Sequence, residues 1–377
     1  MSVALESPRS DGSLAAGPGV EIRPTIDSTG DLRFQLFATI FALGTLHHEI
    51  QFILVQQTSG PFTGYMERLG QVHPSVGWPS SVGIGLHLAN VSISLLILVL
   101  PWRRALLGLL TIPFLLSNLT IPLGIASHNT LMAGALALIL ILGLLELADR
   151  VRQRGRASVG GTDWYGWTLI GLTWLCALTY AFAAFHKLNP RWFSPANSPG
   201  VDFILMTLRS LGLPRDAAGL LGYPIVYGVV LVEGGLPFLL MHRRTRLFGC
   251  LLGCLFHLPM LAAGVMDFPT VILAFYPLFL SVEEARAVLA GCLTRPSLVR
   301  LGCTAAVGGI GAVAISRAEQ PNSYYVGSLG LEPLLMVAHS ALLYLTFFLV
   351  VYVACTLAAL LIDRRATGSP MRAPAPS

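Results

Sequence analysis

Lys187 is the only lysine among the 24 basic residues of the chain; the others are arginines. An amine can give up its proton inside a protein, whereas a guanidinium does not. Lys187 ends an apolar run in YAFAAFHKLNPRWFSPANSPGVDF (180–203). The turn-forming Asn189-Pro190 and the aromatic pair Trp192-Phe193 follow it. Two readings are open. At the wet end of a helix the side chain snorkels to lipid headgroups as an anchor. Turned into an apolar cavity, it loses hydration and becomes available as a base. His186 and Trp192 are its nearest candidate substrate contacts.

Other groups suited to proton chemistry accompany it. His87, His128 and His257 lie in or beside apolar runs, Asn129 adjoins His128, and Glu233 is embedded in LVEGGLPF. Imidazole titrates near neutral pH. Together with an amine and a carboxylate in one apolar cavity, it can move protons. Gly234, Gly235 and Pro237 loosen the helix around Glu233, which either lines a cavity or pairs with a cation. His73, His242 and His339 read as packed or hydrogen-bonded residues. His47 and His48 precede Glu49, but adjacent helical residues point in different directions. No i, i+4 partner completes a zinc triad there, so no metal site is predicted.

The elements that must position these groups are membrane helices. Of 377 residues, 54% are hydrophobic and 11% charged, with a mean hydropathy of +0.70. A soluble protein carries about 25% charged residues. The formal charge of +5 fits basic loops beside a membrane, and no nucleic-acid partner is expected. The six cysteines show no CxxC or zinc spacing and read as small buried hydrophobes.

About 20 apolar residues cross a bilayer. Ten runs approach that length: 34–56, 82–100, 105–123, 130–148, 165–185, 220–241, 247–265, 268–282, 298–315 and 336–361. The eighth is short and tightly joined to the seventh. The runs are continuous rather than alternating, which excludes transmembrane strands. The expectation is an all-α polytopic bundle of about ten spans. Residues 1–33 and 363–377 read as disordered tails, 34–283 as the main transmembrane domain, and 284–362 as two further spans with an outer loop.

Arginine placement gives the orientation. With a cytoplasmic N-terminus, every inner segment holds at least two arginines, and no basic residue falls within a span. Both termini are therefore expected inside. Eight of the nine histidines then fall toward the outer side, His242 alone being cytoplasmic. They imply an outward-facing polar cavity. Outer segments 57–80, with Tyr65, and 316–335, with Tyr324 and Tyr325, exceed simple turns. Within loop 186–219, VDFILMTLRSLGL reads as an amphipathic helix lying on the membrane.

At these residues the chain resembles the vitamin K-dependent γ-glutamyl carboxylases and their bacterial relatives with the HTTM transmembrane domain. HKLNPRWF is similar to that family's K-L-D-x-x-W element, whose lysine is the catalytic base and corresponds to Lys187. SHNTLMAGALAL (127–138) is similar to the N-H-S-Y-L-x-G-L segment and places a functional histidine at His128. LVEGGLPFLL, then FHLPMLAAGVMDFPTVILAFYPLFL (256–280), is similar to the F-H-x-x-N block ending in P-L-F and places a second at His257. Met260 or a neighbour stands where the family has Asn. The large extracytoplasmic β-rich region of the animal enzyme has no counterpart here.

The resemblance covers roughly 34–283. It implies a bacterial cell-membrane enzyme of the carboxylase or quinone-epoxidase kind. Lys187 would deprotonate a reduced quinone, O₂ would add, and the strong base formed would act on an unknown second substrate, with CO₂ consumed if that step is carboxylation. His128 and His257 would orient the reactants. His186, Trp192, Glu233, His87 and Asn129 would line the substrate site, and membrane lipid would surround it. The residues alone also permit a proton-coupled carrier, with Glu233, Glu49 and the histidines as relay, or a non-catalytic membrane or redox subunit.

Overall fold

The structure, a computed structural model, describes residues 31–57, 80–100, 102–118, 127–153, 162–190, parts of 192–212, 217–262, 267–293, 298–318 and 332–367. His73, Tyr65, Tyr324, Tyr325 and both terminal segments (1–30 and 368–377) lie outside the described residues. So does the side chain of His128.

Among the described residues there are eleven α-helices and no strand. They are α1 (Leu32–Gln57), α2 (Ser80–Val99), α3 (Arg103–Asn118), α4 (Ser127–Gln153), α5 (Trp164–His186), α6 (Ala217–Met241), α7 (Arg246–Ala262), α8 (Asp267–Phe279), α9 (Val282–Leu293), α10 (Leu298–Ala318) and α11 (Glu332–Thr367). Each of the ten apolar runs has a helix. The eleventh, α9, is a short helix that the hydropathy pattern does not mark. Five helices contain segments long and apolar enough to cross a membrane: Asn129–Gln153, Trp164–His186, Leu221–Met241, Leu298–Ser316 and Val337–Arg365.

Helices α1 to α7 pack largely in chain order, and α11 returns against α7 and α1. The short eighth run is the centre of this arrangement. Helix α8 touches α1, α4, α5, α6 and α7, and Val271, Ile272, Ala274 and Phe275 are fully buried. Its 13 residues span about 20 Å, less than the roughly 30 Å hydrocarbon thickness. Protein rather than lipid surrounds it, so its polar ends need not reach the bilayer surface. Leu343, Phe347 and Val351 of α11 belong to the same buried cluster, making the core continuous across position 283.

The helix ends are fixed by local chemistry. Asp31 accepts from Arg33 N at 2.9 Å, and Asp163 Oδ1 accepts from Gly166 N at 2.8 Å. Ser281 and Glu284 form a reciprocal capping box at the start of α9: Ser281 N donates to Glu284 Oε2 at 2.9 Å, and Glu284 N donates to Ser281 Oγ at 3.2 Å. Many arginines gather at one end of the bundle. Arg104 joins Glu146 and Thr168, while Arg246 and Arg364 meet at Glu284. Helix α11 runs to Thr367, beyond the expected tail boundary at 363.

The 201–213 segment is helical at 201, 204, 207 and 208. Within it Val201 packs against Val226, and Thr207 Oγ1 donates to Pro259 O at 2.9 Å. The cysteines follow their neighbours' burial. Cys176, Cys250 and Cys254 are buried, but Cys303 is exposed on α10.

Candidate active site

The sequence after α5 folds back on itself. Asn189 Nδ2 donates to His186 O at 2.6 Å, which satisfies a helix-terminal carbonyl, and Asn189 Oδ1 accepts from Trp192 N at 2.9 Å. This turn brings the Trp192 ring to 5.0 Å from Lys187 Nζ. The ammonium also donates to Ala183 O at 3.3 Å, reaching back along its own helix.

Lys187 turns toward α6 and meets Glu233. Nζ lies 2.5 Å from Oε2, in a pair whose carboxylate side chain is only 5% exposed. Just beneath it the helices meet at small residues. A Cβ on Gly234 would lie 3.7 Å from that of Ala184, so the two backbones approach closely there. Pro237 has no N–H for the Glu233 carbonyl four residues earlier, leaving the helix loosened at the pair.

Two helical turns from Lys187, and on the same face of α5, is Tyr180. Its hydroxyl lies 2.8 Å from His257 Nε2 and 2.7 Å from the Tyr276 hydroxyl. The three groups join α5, α7 and α8 in a fully enclosed chain. It runs in either direction according to the histidine tautomer. Seven residues of helix separate Tyr180 from Lys187, about 10 Å along the axis. His257 is therefore a partner of Tyr180 rather than of the lysine.

A second ionisable pair joins α1 and α2: Glu49 Oε2 contacts His87 Nδ1, both side chains being buried. Nearby on α2, Asn90 Nδ2 donates to Ser117 Oγ of α3 at 3.2 Å, and the His47 and His339 rings lie 4.4 Å apart. His87 is thus committed to an α1–α2 contact. Asn129 is buried at the start of α4, with neither amide atom partnered among the described residues. His128 precedes it. His186 is exposed, and its side chain leaves the helix in a different direction from that of Lys187.

Sequence reasoning missed Tyr180 and Tyr276. Tyr180 was accessible through its spacing, two turns before Lys187 on one helix face. Tyr276 carries no such signal, because only tertiary packing brings α8 against α5. Pairing of Glu233 with an unspecified cation was one of the open readings of the carboxylate, and the geometry supplies Lys187 as that cation.

The arrangement can hold and move a proton at the Lys187–Glu233 hydrogen bond, and relay one along Tyr180, His257 and Tyr276. A polar ligand fits here on one observation. Trp192 Nε1 is buried and has no partner among the described residues, leaving a donor beside Lys187 for a ligand oxygen. Among the described residues no three His, Cys, Asp or Glu side chains are grouped to hold a metal.

Fold and site together define an all-helical, multi-pass membrane protein with ionisable pairs between its helices. No family model, curated protein or solved structure matches the chain.

Proposed function

We propose that the protein is an integral membrane enzyme in which Lys187, coupled to Glu233, removes a proton from a reduced quinone. The observation that carries this reading is the 2.5 Å contact between the only lysine of the chain and a buried carboxylate. Transfer of the shared proton to Glu233 leaves a neutral amine. That amine accepts the hydroxyl proton of a hydroquinone, whose oxygen takes a hydrogen bond from Trp192 Nε1. An apolar setting favours the transfer, because it penalises two separated charges more than a neutral pair.

The quinone, O₂ as its oxidant and a second substrate come from the resemblance of HKLNPRWF and its companion segments to the carboxylase/HTTM family. On the same ground His128 shapes the reacting pocket, with Asn129 beside it, and His257 acts on it from a distance through its hydrogen bond to Tyr180. Arginine placement supports a site on the extracytoplasmic side, with about ten helices passing through the bundle and both termini in the cytoplasm. A lipid-soluble substrate suits a site formed between membrane helices.

A second reading, a proton-coupled carrier, is favoured by the buried Glu49–His87 pair, a second acid–base couple at a helix interface. The two are separated by one comparison. Purified protein in detergent, where no gradient exists, is given a reduced quinone and O₂, and sealed vesicles are assayed for proton flux. The enzyme reading predicts quinone oxidation in detergent. Gradient-dependent flux that needs Glu233, without quinone oxidation, would replace it by the carrier.

A further inference from the structure

At the arginine-rich end, α3 and α4 enclose a groove of about 670 Å³ that opens to the bundle's outer surface. It is chemically divided. One end holds Arg103, Arg104 and Arg150 against a single carboxylate, Glu146. Glu146 already bridges two of them: Arg104 Nη1 donates to its Oε2 and Arg150 Nη2 to its Oε1, both at 2.5 Å. Among the described residues Arg103 is held by neutral groups, donating to Gln35 O at 3.0 Å and Thr39 Oγ1 at 2.9 Å. Its Nε is buried without a partner among the described residues. Two guanidinium groups thus share one carboxylate and a third, Arg103, lies beside them on neutral partners, so the groove's lining carries an excess of positive charge.

The other end is apolar and uncovered. Leu109, Ile112 and Leu144 line it and are each more than half exposed. Two glycines keep its floor open. A Cβ on Gly143 would meet nothing within 4 Å, and one on Gly108 only Leu140 Cδ1, at 3.8 Å. Neither glycine is required by helix packing, so the space above them is not a by-product of close contact. Trp102, two-thirds exposed, stands at the rim beside the arginines, where indole marks a membrane–water boundary. From Arg103 to Ile112 the helix rises about 13 Å. That is close to half of the roughly 30 Å hydrocarbon core, the depth of one leaflet.

We infer that this groove binds one anionic phospholipid, with its phosphate against Arg103 and Arg150 and an acyl chain over Gly108 and Gly143. Guanidinium forks match phosphate oxygens two at a time, and among the described residues Arg103 has no acidic partner that a phosphate would have to displace. A soluble anion would use only the basic end. A lipid uses both ends, and the apolar end lies on the flank of a helix segment long and apolar enough to span the bilayer.

The full chain, purified and delipidated, is offered phosphatidylglycerol and phosphatidylcholine of identical acyl chains, and retained lipid is counted by native mass spectrometry. Wild type is expected to retain phosphatidylglycerol preferentially. Arg103→Gln and Arg150→Gln should each lower that preference about tenfold, the effect of one charge-assisted hydrogen bond. Gly143→Leu, whose Cβ would meet nothing within 4 Å, fills the floor; it should retain less of either lipid while its melting temperature stays at the wild-type value. Inorganic phosphate at millimolar concentration should not displace the lipid. Equal retention of the two lipids by wild type would overturn the inference. So would undiminished phosphatidylglycerol on a folded Gly143→Leu protein, or complete displacement by inorganic phosphate, which would mark a soluble-anion site.

Discussion

Lys187 Nζ and Glu233 Oε2 are 2.5 Å apart across the α5–α6 interface, although 46 residues separate them in sequence. A charge pair this enclosed is costly to break from one side. Removing one partner leaves the other uncompensated, at about 3–5 kcal/mol, whereas replacing both with apolar groups of similar volume is often neutral. Lys187→Met and Glu233→Leu should each lower the melting temperature in detergent, and the double variant should recover most of the loss. Additive losses would mean that the pair contributes no coupling.

Gly253 is the position where Tyr276 passes α7. A Cβ there would lie 1.8 Å from the Tyr276 hydroxyl oxygen. Gly253→Ala should therefore push Tyr276 off Tyr180 and cost about 1–3 kcal/mol, the usual effect of overpacking. Adding Tyr276→Phe should restore little, because the ring carbons Cζ and Cε2 would still lie 2.4 and 2.5 Å from that Cβ. Thermal melts of the two variants check this; an unchanged Gly253→Ala protein would contradict the placement of α8 against α7.

Glu284 has three tasks: it closes the α9 capping box and meets both Arg246 and Arg364. Its loss should exceed that of either arginine. Arg364 approaches only to 3.7 Å and is one-third exposed, so Arg364→Ala should be the mildest. The expected order of destabilisation is Glu284→Ala, then Arg246→Ala, then Arg364→Ala. Arg364→Ala matching Glu284→Ala would refute this account of the basic end.

Much of this fold was legible as continuous apolar runs, because lipid contact and core contact both demand them. For the same reason hydropathy could not separate α8, sheathed by protein, from its lipid-facing neighbours. Helix α9 was hidden because its start is written in a capping box, Ser281 to Glu284, rather than in apolar periodicity. At the site, HKLNPRW showed a helix end, a turn and an aromatic residue returning to the lysine. What no spacing could reveal was which helices meet. Tyr276 reaches Tyr180, and Glu49 reaches His87, only through the packing of α8 on α5 and of α1 on α2.

The start of α1 should give the protein an acid-sensitive step. Burial works to raise the Asp31 carboxyl, but the hydrogen bonds and charge of Arg33 outweigh it and hold the group below its usual range. A carboxylate depressed in the folded state stabilises above its unfolded pKa, near 3.9, and that contribution fades as pH falls through the folded value. Asp31→Asn should thus melt lower than wild type at pH 7, and the gap should close on acidification below about pH 4. A gap that persists unchanged at low pH would show that the carboxylate's charge is not what stabilises this end.

The central claim is that Lys187 moves a proton rather than merely anchoring a helix end. Arginine keeps the charge, the reach and the partnership with Glu233, but it does not deprotonate. The direct test is oxidation of a reduced quinone by purified Lys187→Arg protein in detergent, alongside wild type and with melting temperatures matched. The account predicts a folded variant whose turnover falls roughly 100-fold or more, the scale of general-base catalysis. Full quinone-dependent turnover by the arginine protein would contradict it.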